Sequence, residues 1–82
     1  MHYVYAIRSK VNGRIYVGQT KSIDERLAAH NEGRVKSTKS DRPWELIAVQ
    51  MVGNRAEARW IERKLKLSHG ARLRWIKCYR IK

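Results

Sequence analysis

Asn12-Gly13 stands between two short runs of strand-like composition, HYVYAIR at residues 2–8 and RIYVGQ at residues 14–19. An Asn-Gly pair flanked in this way is a strong hairpin signal, because a two-residue type I′ turn requires positive φ at both central residues. Such a loop pairs Val11 with Arg14 and Ser9 with Tyr16. Side chains alternate across a strand, so odd positions of the first run then share a face with even positions of the second. Tyr5, Ile7 and Ser9 fall together with Tyr16, Gly18 and Thr20. A four-residue loop keeps that parity and a three-residue loop reverses it. Two tyrosines thus share one face, with Gly18 between them contributing no side chain. They are either packing residues of an ordinary hairpin or two halves of a site.

The rest of the chain reads as helices around a third strand. Ser22 and Glu25 form a capping-box pattern, which starts a helix through IDERLAAHNE and ends it at Gly33. Ile23 and Leu27 mark its buried stripe, and Arg26 and His30, four apart, are neighbours at the stripe's edge. Residues 34–43 form a basic loop ending at Pro43, followed by the strand WELIAVQMV, whose nearly continuous apolar run predicts burial on both faces. Asn54 caps a second helix, RAEARWIERKLKL; a third, shorter helix covers ARLRWIKC, and the tail YRIK is expected to fray. The order β-β-α-β-α-α predicts an α+β fold, a small three-stranded, mainly antiparallel sheet flanked by helices, as a single domain over residues 1–82.

Charge points to the partner. Nineteen Lys and Arg against seven Asp and Glu give a net charge of +12. Such an excess destabilises a compact chain by self-repulsion, so a polyanion is the natural partner. Nucleic acid fits better than an anionic membrane, because no helix has a clean basic-amphipathic pattern. Two stretches concentrate the charge: GRVKSTKSDR at 33–42, with Arg34, Lys36, Lys39 and Arg42, and residues 59–82, with Arg63 and Lys64 among nine basic residues and Glu62 the one acid. No apolar run approaches the length of a membrane span, and the start, MHYVYAIRSK, is strand-like rather than a signal sequence. The single Cys78 allows no intramolecular disulfide and no cysteine-based zinc site, which fits a reducing, cytoplasmic compartment.

Each candidate residue has a structural reading beside the chemical one. Glu57 stands three residues after Asn54, where it can complete a capping box; it is also in line with Ile61 and Leu65, and a carboxylate at the top of a buried stripe needs an arginine or a divalent metal. Glu62 reads as a solvated charge within reach of Arg59 and Lys66. Arg26 is a surface ion-pair residue or a bidentate phosphate ligand; His30 is hydrogen-bonded structure or a proton carrier. A tyrosine with its pKa near 10 is a poor base unless an arginine, histidine or metal assists it.

YVY at 3–5 followed by YVG at 16–18 resembles the paired motif of the GIY-YIG nuclease superfamily. DERLAAHNEG resembles that family's first helix, and RPWELIAVQMVGNRAEA resembles the strand leading to its metal-binding glutamate, which falls on Glu57. The likeness covers roughly residues 2–70 in order and is nearest to small stand-alone members and the incision domain of bacterial excision repair. It implies hydrolysis of DNA phosphodiester bonds with one divalent ion, Mg²⁺ or Mn²⁺, held by Glu57. Arg26 would grip the scissile phosphate, Tyr5 would act as general base assisted by His30, Tyr16 would orient water or phosphate, and Gly18 would leave them room along the nucleic acid. The first motif begins with Tyr3 instead of glycine, and the asparagine that some members carry downstream of the glutamate has no counterpart here. No separate DNA-binding domain accompanies the motifs, so sequence specificity is expected to be weak or to come from a protein partner. The competing function is a basic nucleic-acid-binding module without catalysis, which predicts salt-sensitive binding and no cleavage.

Overall fold

A computed structural model describes residues 1–81. Its elements are β1 (His2–Ser9), β2 (Ile15–Thr20), α1 (Ile23–Asn31), a short 3₁₀ turn (Lys39–Asp41), β3 (Trp44–Val52), α2 (Arg55–Leu67) and α3 (His69–Tyr79). The α+β class and the order β-β-α-β-α-α are those expected.

The hairpin closes with four loop residues rather than two. The Ser9 N–H donates to the Arg14 carbonyl at 2.8 Å, and the Gly13 N–H to the Ser9 carbonyl at 2.9 Å. Only Gly13 takes positive φ, 78°. Side chains make the longer loop possible by satisfying its backbone donors. Ser9 Oγ accepts from the Val11 and Asn12 N–H groups at 3.1 and 3.2 Å, and Asn12 Oδ1 accepts from the Arg14 N–H at 3.0 Å. The register therefore moves by two: Tyr16 lies opposite Ile7, not Ser9, and Gly18 lies opposite Tyr5. Parity survives, and both tyrosines remain on one face.

The strand order is β2-β1-β3, antiparallel throughout. The central strand is β1, and β3, expected to be buried on both faces, forms an edge. Its apolar residues do serve both layers, but Met51 is 60 % exposed. Within the described residues, Lys82 lying outside them, the tail covers part of that edge instead of fraying: the Ile81 N–H donates to the Ile47 carbonyl at 3.0 Å, and Arg80 bridges Ala48. This pairing satisfies backbone groups that an open edge would leave to water or to another chain.

The sheet is packed on both sides. Val4, Ala6, Val17, Ala48 and Val52 meet Ala58 and Leu65 of α2 and Trp75 of α3. On the other face Tyr5, Ile7 and Trp44 pack with Tyr16 and Leu46 and with Ile23 and Leu27 of α1. Capping fixes the ends of α1. Ser22 Oγ accepts from the Glu25 N–H at 3.5 Å. At the other end Gly33 takes φ 79°, the Gly33 N–H donates to the His30 carbonyl and the Arg34 N–H to the Ala29 carbonyl, a Schellman closure. The third helix begins two residues before ARLRWIKC because Ser68 is its cap, accepting from the Ala71 N–H at 3.1 Å.

Candidate active site

Tyr5 projects from the central strand across its neighbour on β2. A Cβ at Gly18 would stand 2.5 Å from the Tyr5 hydroxyl oxygen and 2.7 Å from Cζ, so only glycine admits the ring in this position. The hydroxyl reaches α1, where it meets His30 Nε2 at 2.8 Å. His30 is fully buried, its ring edge-on to Tyr5 at 5.9 Å and to Tyr16 at 5.1 Å between centroids. One turn earlier on α1, the Arg26 guanidinium faces both tyrosine hydroxyls. Four of the expected residues, Tyr5, Tyr16, Arg26 and His30, thus converge from β1, β2 and α1.

Burial and charge set the protonation of this cluster. Desolvation pushes the Tyr5 phenol up to about 12, against the hydrogen-bonding pull of Arg26. His30 is held down at about 4, first by burial and then by repulsion from Arg26. Contact with Tyr5 raises Arg26 above its ordinary range. At neutral pH the site therefore holds a neutral phenol, a neutral imidazole and a fixed positive charge. That charge is available to a phosphate oxygen.

Thr38, which sequence reasoning passed over, completes the cluster. It is fully buried, and its Oγ1 lies 2.8 Å from His30 Nδ1. Only its place in a polar loop was legible, and a Ser or Thr in such a loop carries no distinguishing mark.

The carboxylates separate. Glu57 is exposed in the first turn of α2, where its N–H donates to Asn54 Oδ1 at 2.8 Å. Its Oε2 lies beside Gly53, at the start of the helix. Glu62 is the acid whose charge acts on the Tyr5 hydroxyl. Its side chain is 20 % exposed and pairs with Lys66 Nζ at 2.8 Å. The Lys66 ammonium in turn sits 5.2 Å over the Tyr16 ring. The pairing expected of Glu62 with Lys66 is present, but the side chain is more covered than a solvated charge, on the flank of α2 toward Tyr16. Among the described residues no three His, Cys, Asp or Glu side chains converge as a metal cage. A single partly buried carboxylate would suit a hard cation that keeps most of its waters, as Mg²⁺ and Mn²⁺ do.

The expected nucleic-acid contacts fall in different settings. Lys36 and Lys39 are exposed on the loop after α1. Arg34 is exposed and pairs with Glu32 at 3.2 Å. Arg42 folds back, its Nε donating to the Lys39 carbonyl at 2.8 Å and its guanidinium packing over Gly33. Arg63 is exposed on α2, and Lys64 lies 5.4 Å over the exposed Trp60 ring. Gly18 is buried beneath Tyr5, so its part is clearance for that ring. The loop is latched to the hairpin by Asp41, which takes Arg14 Nη1 at 2.7 Å and Asn12 Nδ2 at 2.9 Å.

Residues 1–74 match the GIY-YIG catalytic domain. The chain is 38 % identical over 66 residues to a UPF0213 protein of Staphylococcus haemolyticus, covering 79 % of each. A UPF0213 protein of Staphylococcus saprophyticus is 36 % identical over the same share of both chains, and one of Staphylococcus aureus is 33 % identical.

Proposed function

This chain belongs to the GIY-YIG family, a nuclease family, and we propose that it is a divalent-metal-dependent endonuclease that hydrolyses DNA phosphodiester bonds. The observation that supports this reading most directly is the convergence of Tyr5, Tyr16, Arg26 and His30 at one sheet edge, with the charge of Glu62 reaching Tyr5. Arg26 binds the scissile phosphate and stabilises the charge that grows on its oxygens. Tyr16 orients the phosphate or the attacking water. As the water oxygen bonds to phosphorus, its proton passes to the Tyr5 oxygen while the Tyr5 proton passes to His30 Nε2. The P–O bond to the leaving oxygen breaks, and that oxygen takes a proton from solvent.

The low basicity of His30 opposes this transfer in the free protein, and substrate relieves part of it. Part of it comes from Arg26, and a bound phosphate neutralises that charge and raises the imidazole toward its ordinary range. Glu62, rather than Glu57, is the carboxylate we assign to Mg²⁺ or Mn²⁺; when bound, the ion supplies a positive charge against the phosphate and the leaving oxygen. The substrate is DNA, cut with weak sequence specificity or with specificity lent by a protein partner, and the cytoplasm is the expected compartment.

The test is incubation of the purified chain with plasmid, branched DNA and RNA in Mg²⁺, Mn²⁺ or EDTA. Cleavage of DNA with either ion and none in EDTA is expected. Glu62→Gln should lower cleavage by several orders of magnitude with DNA binding retained, whereas Glu57→Gln should cut normally. Salt-sensitive binding with no cleavage in any metal would identify a non-catalytic module instead.

A further inference from the structure

We propose that Thr38 is a positioning residue that locks His30 in its Nδ1–H tautomer and so aims the Nε2 lone pair at the Tyr5 hydroxyl. The argument is a count of hydrogens. A threonine hydroxyl has one proton to give. Thr38 Oγ1 lies 3.3 Å from the Val35 carbonyl, which can only accept, and 2.8 Å from His30 Nδ1. With its proton on the carbonyl, the hydroxyl accepts from His30, and Nδ1 carries the hydrogen. In a neutral imidazole the other nitrogen is then bare. That nitrogen is Nε2, 2.8 Å from the Tyr5 oxygen.

The other end of the chain gives the same polarity. Arg26 is a donor-only group and faces the Tyr5 oxygen. Were Nε2 also a donor, that oxygen would receive two hydrogens and its own would lose its partner in the fold, an arrangement that buried polar groups avoid. Every hydrogen in the line therefore points one way: Arg26 to Tyr5, Tyr5 to His30, His30 to Thr38, Thr38 to the Val35 carbonyl.

Thr38 is itself held firmly enough to set this direction. Its N–H donates to the Val35 carbonyl at 3.2 Å, and its carbonyl accepts from the buried Trp44 Nε1 at 2.9 Å. Asn31 clamps the start of β3 to the end of α1, giving Nδ2 to the Trp44 carbonyl at 3.1 Å and taking the Trp44 N–H. The backbone that carries the hydroxyl cannot drift without loosening Trp44. The same loop carries Lys36 and Lys39 on either side of Thr38, so a strand bound there grips the segment that orients the histidine.

The role in cleavage rests on the nuclease reading above, but the tautomer does not. The experiment records long-range ¹H–¹⁵N correlation spectra of the His30 ring in the full chain and in Thr38→Val and Thr38→Ser, with cleavage kinetics beside them. In the wild type and in Thr38→Ser, His30 should be a single Nδ1–H tautomer. In Thr38→Val the Nε2–H form should become populated. The turnover number of Thr38→Val should fall by about 10–100-fold, taking as a guide the range found when a partner that orients a metal-bound histidine is removed. KM should change little, and Thr38→Ser should recover most of the rate. An Nε2–H tautomer in the wild type overturns the proposal without recourse to a variant, as does a Thr38→Val protein with wild-type tautomer and turnover. If the wild type cuts nothing in any metal, the nuclease reading falls, and the spectrum alone then decides the lock.

Discussion

Acidification should unfold this protein in a window set by His30. The ring is fully buried, and its pKa lies at about 4 instead of the ordinary 6.5. Between those values the unfolded chain binds a proton at this residue and the folded chain does not. Unfolding free energy therefore rises with pH across the window and is lost as pH falls through it. A difference of about 2.5 pH units at about 1.4 kcal/mol each amounts to about 3 kcal/mol. In a domain of this size that is worth roughly 12 to 24 °C in Tm. The groups facing the ring are Arg26, Tyr5, Tyr16, Thr38 and Trp44; Thr38 and Trp44 carry no charge, Tyr5 is pushed up to about 12 and Arg26 is raised above its ordinary range. Asp41, held low first by its hydrogen bond from Arg14, keeps its contribution until the pH drops below the ordinary aspartate value of 3.8. The assay is urea denaturation from pH 7.5 to 3.5 at constant ionic strength, on the wild type and on His30→Gln. The variant carries every other titrating group, so the difference between the two curves isolates His30. That difference should move against the wild type by about 3 kcal/mol between pH 6.5 and 4. A flat difference would mean that the ring ionises freely in the fold, and the neutral acceptor assigned to it would be untenable.

Three further outcomes are expected. Gly18→Ala forces a Cβ to within 2.5 Å of the pinned Tyr5 hydroxyl, so it should cost about 1–3 kcal/mol by thermal melting and abolish cleavage; an unchanged Tm would show that the ring has room to move. Tyr5→Phe keeps the buried ring and removes only the hydroxyl, so folding and DNA binding should persist while cleavage is largely lost; cutting at the wild-type rate would leave Tyr5 as packing alone. Affinity for DNA should fall steeply with salt, and Lys36→Glu with Lys39→Glu should weaken binding to all sequences alike and flatten that dependence; an affinity indifferent to salt would exclude phosphate contacts by this loop.

What the sequence made legible is what local chemistry decides. The cap at Ser22, the closure at Gly33 and the cap at Asn54 each depend on a few adjacent residues, and each formed as read. The shared face of Tyr5 and Tyr16 depends only on strand parity, which a loop of two or four residues preserves alike. The register did not follow from Asn-Gly, because Ser9 and Asn12 supply side-chain acceptors that make the longer loop equally satisfied. Strand rank was also hidden: β3 has the more continuous apolar run, yet β1 takes the centre and the tail covers part of the edge of β3.

The separation of the two glutamates follows from that last point. At about 100° per residue, Glu57 and Glu62 lie about 140° apart on α2, on opposite flanks of the stripe formed by Ala58, Ile61 and Leu65. The sequence shows the stripe and both flanks, and it shows that Glu57 suits a cap. It does not show which flank looks toward the tyrosines. That is decided by the sheet, because β2 is the open edge beside β1 and Tyr16 sits on it. The flank carrying Glu62 and Lys66 is the one that meets this edge, with Lys66 over the Tyr16 ring. A carboxylate's place in a helix pattern therefore fixes its distance from the core but not the strand it faces. Here that second quantity separates a helix cap from a candidate metal ligand.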